Sequence, residues 1–141
     1  MNTKRYIITS IVVWIVYSIL GGLLNGVILN MQNIPGMKTA EEMGAGSIIV
    51  GLLGGLIFSF VFSFIFTKGY EGKGAMEGFR YGLYIGLLLY VPLWFIYVAY
   101  FTYPLGYVWG FTIGSFVIVV LLGIIAALLY KPKPKVEQPA A

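Results

Sequence analysis

Cysteine, histidine and aspartate are all absent from this chain. Without cysteine there is no disulfide, and without thiolate or imidazole the usual zinc, copper and haem ligands are missing. Serines are present, but inside an apolar run none has a His or Lys to act as its base, so the common hydrolase constellations do not assemble. Charge is scarce as well. Charged residues are 10% of the 141 positions and hydrophobic residues 60%, whereas an ordinary soluble domain is about 25% charged. Every glutamate lies at the end of an apolar run or outside one. The composition therefore argues against an enzyme and implies no metal or organic cofactor. It also offers no basic, aromatic-bearing face for nucleic acid.

What the chain does have is four long apolar runs, at 6–29, 46–67, 79–103 and 107–130, with no charge in their interiors except Arg80 at the start of the third. Each is long enough for a helix to cross a hydrocarbon core about 30 Å thick, which takes about 20 residues. The expected fold is all-α: a polytopic transmembrane four-helix bundle forming one domain over 1–130, followed by a disordered basic cytoplasmic tail at 131–141. The first run is too long for the apolar core of a secretory signal and lacks a small-residue cleavage pattern, so it is expected to remain as a span. Lys4, Arg5, Lys68, Lys73, Arg80, Lys131, Lys133 and Lys135 fall on one side of the four runs and Lys38 alone on the other. By the positive-inside rule both termini are cytoplasmic.

The links carry local signals. Pro35-Gly36 marks a turn, and Thr39-Ala-Glu-Glu42 reads as a capping box; it would start the second helix near residue 40, giving a span of 40–67. Met31, Met37 and Met43 are six apart, off a common helix face, and read as loop and interfacial methionines. The link after the second run has glycines at 69, 72, 74 and 78, but it lacks the Ser or Thr and the earlier glycine of a nucleotide-binding loop. Glu77 and Arg80, one turn apart, are expected to pair. A second reading makes the link a backbone cradle for a lipid phosphate, with Lys73 and Arg80 as headgroup ligands. Lys131, Lys133 and Lys135 alternate with prolines in an extended tail and would face anionic lipid.

Small residues recur every four positions within the runs: Ser18, Gly22 and Gly26; Ser47, Gly51, Gly55, Ser59 and Ser63; Gly78, Gly82 and Gly86; Gly106, Gly110 and Gly114. Apolar helices gain little by burial against one another in lipid, so close backbone approach must hold them together, and such rows permit it. The rows do not say whether the packing is within one chain or between chains. Pro92, near the middle of the third run, removes a backbone N–H and crowds the Leu88 carbonyl, predicting a kink; Tyr90, Thr112 or Ser115 would satisfy the freed carbonyl. Trp94, Tyr97 and Phe101 share one helical face in a ring-rich region expected to be an interfacial belt. They also suggest a groove for a flat apolar ligand, with Asn25 and Asn30 near the same end.

The stretch Glu77-Gly-Phe-Arg-Tyr-Gly-Leu-Tyr-Ile-Gly86, with Tyr103-Pro-Leu, Trp109 and Leu-Leu-Tyr-Lys131, resembles the second half of a group of small four-span bacterial integral membrane proteins without an assigned activity. The resemblance covers about residues 70–131. It implies a four-helix architecture in a bacterial inner membrane and brings no catalytic residues. Small multidrug exporters share the size and span count but need a glutamate in the first span, and none is present here. The sequence thus favours a non-enzymatic accessory or scaffold subunit, in contact with membrane lipids and packing through glycine faces in a homo-oligomer or with other membrane subunits. The alternatives are a small channel or carrier for a neutral or hydrophobic solute, and a lipid- or quinone-binding protein.

Overall fold

The computed structural model describes residues 2–39 and 41–130; Lys131, Lys133, Lys135 and the rest of the 131–141 tail lie outside them. The described residues form four long helices and no strand. α1 is Thr3–Gly22, continued by a π-helical segment at Leu23–Ile28; α2 is Ala45–Lys68, α3 Ala75–Tyr100 and α4 Leu105–Leu129. All four have the length and composition of membrane spans. Their outward faces are apolar too. Val27, Val50, Leu88 and Leu105 are each at least 60% exposed, whereas a helix surface meant for water would carry polar groups there.

The helices run up and down. Tyr130 at the end of α4 meets the start of α1, where its hydroxyl accepts from the Asn2 amide at 3.3 Å, and its ring packs on Phe66 at the end of α2 and on Tyr70 just after it. At the opposite end, Leu29 reaches Gly110 near the start of α4. The most buried helix is α4, whose Val119, Leu122 and Ala126 have no exposure. It packs against α3 on one side and α1 on another, while α2 leans mainly on α1.

Glycine determines how closely α3 and α4 approach. A methyl group added at Gly82 would lie 2.6 Å from the Val120 Cα and 2.7 Å from the Val119 carbonyl oxygen. Gly78 and Gly123 face each other so tightly that a β-carbon on either would strike the other's carbonyl. Backbone lies on backbone here, leaving no side chain to swing aside. Gly86 receives the Phe116 ring in the same seam, at 2.9 Å from the added carbon.

The end of α1 is the main departure from a regular helix. The Leu29 amide donates to the Leu24 carbonyl, five residues back, at 2.8 Å. The Asn25 carboxamide donates to the Gly21 carbonyl at 2.9 Å, and Asn30, left-handed at φ 48°, ψ 48°, stops the helix. In an α-helix Leu24 and Leu29 would point about 140° apart; widening the turn brings them to one side. There they fill the gaps over Gly114 and Gly110 of α4, which would otherwise put carbons 2.5 and 2.6 Å from the leucine methyls.

Two local expectations need correction. The second helix begins at Ala45, not near 40. Thr39 and Glu42 do exchange the capping-box bonds, at 2.9 and 3.4 Å, but they close a turn that ends with the Met43 amide on the Thr39 carbonyl. Gly44, in extended conformation, then caps α2. Glu77 does not pair with Arg80; its partners are backbone amides, as set out below. Around Pro92, α3 runs on as one helix to Tyr100, with Tyr90 buried edge-on to Phe111.

The seam predicts a sharp ordering of leucine substitutions. Gly82→Leu should destabilise the monomer by about 3 kcal/mol or more, since overpacking against unyielding backbone sits at the upper end of the usual cost. Gly22→Leu, with no atom near its added carbon, should leave the unfolding midpoint in mild detergent almost unchanged.

Candidate functional site

The ten glycines read as packing positions separate into two groups. Gly55, Gly78, Gly82, Gly86, Gly110 and Gly114 pack within this chain, whereas Gly22, Gly26, Gly51 and Gly106 have nothing within 4 Å of an added β-carbon. A β-carbon added at Gly55 would lie 3.2 Å from the Tyr17 ring. Gly55 marks the level below which α1 and α2 are in full contact. Above it, toward the α1–α2 loop, the two helices leave a cleft of about 300 Å³ lined by Tyr17, Ser18, Gly21, Gly22, Asn25, Ile48, Gly51 and Leu52. Trp14 braces the lower edge by donating to the Leu52 carbonyl at 3.0 Å. Asn25 spends its amide N–H on Gly21, and its buried carbonyl oxygen has no hydrogen-bond partner.

The aromatic residues form a packed cluster. Trp94 lies against Trp109 with centroids 4.9 Å apart and edge-on to Phe95; Tyr97 contacts Phe101, Tyr103 and Phe111. Ile34, Met31 and Met37 from the α1–α2 loop pack onto Tyr107, Val108 and this group. The space sketched as a flat-ligand groove is thus occupied by the protein's own rings and loop. Asn30 serves the backbone, through its left-handed conformation at the end of the first span.

The 69–74 link has a definite structure. Gly72 and Gly74 have positive φ, 81° and 68°, a region that L side chains avoid. The link thereby turns the Glu71 and Lys73 amides onto the Glu77 carboxylate, at 2.6 and 2.8 Å. The sequence suggests an anion cradle, and one forms, but a residue of the first turn of α3 fills it. This corrects the reading of the backbone cradle as a lipid-phosphate site. The Lys73 ammonium pairs with the Glu71 carboxylate, and that hydrogen bond, with the charges of Lys73 and Arg80, holds the Glu71 carboxyl below the usual carboxylate range. Gly69, Glu71, Lys73, Glu77, Arg80, Tyr81 and Tyr84 line a polar mouth of about 320 Å³.

Beside the mouth, α2 and α3 diverge around an apolar groove of about 400 Å³, walled by Ile57, Phe58, Val61 and Ile65 on one side and Ile85, Leu88 and Leu89 on the other. Tyr81 closes its lower end, donating to the Phe62 carbonyl at 2.5 Å and packing on the Phe62 and Phe66 rings.

Sequence reasoning missed Gly123 and Tyr81. Gly123 is out of phase with the Gly106–Gly110–Gly114 row, because it faces α3 while Gly110 and Gly114 face α1. Tyr81 stands one turn after Glu77, and only the fold brings α2 against it. No family model matches the chain, and no curated protein and no solved structure matches it.

Glu77→Ala should open the link: residues 69–74 become several-fold more sensitive to limited proteolysis while the helical content of the spans stays constant. Glu71 should titrate below its ordinary value of 4.5. Because that pKa is lowered in the folded protein, the Lys73–Glu71 contact persists above the ordinary carboxylate range. It is lost only as pH falls through the lowered value, which carboxyl-carbon NMR follows directly.

Proposed function

We propose that this chain is a non-enzymatic accessory subunit of a membrane assembly, and that a helix of another subunit or a second copy seats in the α1–α2 cleft. The observation that carries the reading is the division among the glycines. Those of α3 and α4, Gly106 at the start of α4 excepted, are used within the chain, while Gly21, Gly22 and Gly51 line a shared cleft and have no neighbour. A helix approaching such walls comes close enough for backbone van der Waals contact, the main source of helix association in lipid. Ser18 and Asn25 add polar side chains to the lining of the same cleft. The absence of His, Cys and Asp and the likeness of residues 70–131 to four-span bacterial proteins support the same reading, with a bacterial inner membrane as its location and both termini on the cytoplasmic side.

Native mass spectrometry of the full chain, extracted gently from its own membrane, tests this. A defined oligomer or a complex with another subunit is expected. Gly51→Leu and Gly22→Leu should each reduce the assembled fraction at least tenfold without lowering the unfolding midpoint of the monomer. A bare monomer for the unmodified chain, or assembly indifferent to both substitutions, overturns the proposal.

A further inference from the structure

The geometry points to a binding site for one zwitterionic phospholipid with a primary ammonium headgroup, its acyl chain in the α2–α3 groove and its headgroup in the polar mouth beneath. The two cavities adjoin, with Tyr81 as the wall they share, so a lipid lying over that ring reaches both. In a chain whose helices have the composition of membrane spans, an open apolar groove facing the surroundings meets acyl chains. Ile57 and Val61 form a ridge between this groove and a second apolar depression of about 330 Å³, shared with Leu56 and Phe60. A two-chain lipid can straddle that ridge.

The choice of headgroup follows from the charges of the mouth. Two cations, Lys73 and Arg80, face two carboxylates, Glu71 and Glu77. Glu77 is occupied by backbone amides and Lys73 by Glu71. Among the described residues Arg80 has no ion-pair partner, and its planar guanidinium suits a phosphate. Glu71, more than half exposed, retains acceptor capacity for a primary ammonium. A purely anionic headgroup would lie against two carboxylates, and a trimethylammonium has no N–H to donate to Glu71.

The test uses the full chain in nanodiscs of equal parts phosphatidylethanolamine, phosphatidylglycerol and phosphatidylcholine, followed by native mass spectrometry of the lipid retained. One phosphatidylethanolamine is expected to persist. Arg80→Gln should lower retention about fivefold, the effect of one basic residue near a lipid surface. Glu71→Gln should erase the preference for phosphatidylethanolamine over phosphatidylglycerol, and Leu88→Trp, which fills the groove on an exposed face, should lower retention of all three lipids. Preference for phosphatidylglycerol or phosphatidylcholine, equal retention of all three, or indifference to Arg80→Gln overturns the proposal, as does retention of inorganic phosphate by the delipidated protein with no lipid bound. Each variant should keep the oligomeric state of the parent, which separates this site from the assembly cleft between α1 and α2.

Discussion

The structure depends on the close approach of α3 and α4. In lipid an apolar side chain is as well solvated outside the bundle as within it, so helices are held by contact distance and not by removal from water. Gly78, Gly82 and Gly123 bring the two backbones into that contact. With α3 fixed on one side of it, α4 becomes the pillar of the bundle, and α1 packs on another of its faces. There the packing is of a different kind. Leucines from α1 enter the spaces above Gly110 and Gly114, and the π-helical widening at Leu23–Ile28 aligns the two leucines to do so.

The weaker contacts follow from this arrangement. α2 is held chiefly by α1 and by Tyr6, Trp14 and Tyr81, which cross to it as ring-bearing hydrogen-bond donors. It therefore diverges at two places: from α1 above Gly55, leaving the cleft with Asn25, and from α3 above Tyr81, leaving the apolar groove. The openings differ in chemistry. One has small residues on both walls and few polar groups; the other has bulky aliphatic walls and a charged mouth. The first suits a helix and the second suits a lipid, so one loosely packed helix creates both candidate surfaces.

The glycine-rich link illustrates how local sequence signals reach their limit. Its positive-φ glycines do form an anion cradle, the feature their spacing suggests. Which anion fills it depends on α3 starting at Ala75, which places Glu77 in the first helical turn within reach of the Glu71 and Lys73 amides. The same holds for Thr39 and Glu42: the reciprocal bonds of a capping box form, yet the long helix starts later, after extended Gly44. Hydrogen-bond chemistry between near neighbours is legible from spacing, but the element it serves is decided by the chain beyond.

Sequence alone determined the four helices, their membrane-span character and the small-residue rows, because each depends on composition and period within one segment. It also supplied the links and turns, through Pro35-Gly36 and the glycines of 69–74. Only the tertiary structure decided which rows close on themselves and which stay open, since that depends on the rotation of one helix about its axis relative to another. Rotation placed Gly123 against Gly78 and Gly82, left Gly22 and Gly51 without neighbours, and filled the space around Trp94 and Tyr97 with the protein's own side chains. A helical period gives a face; only the packed neighbours say what that face meets.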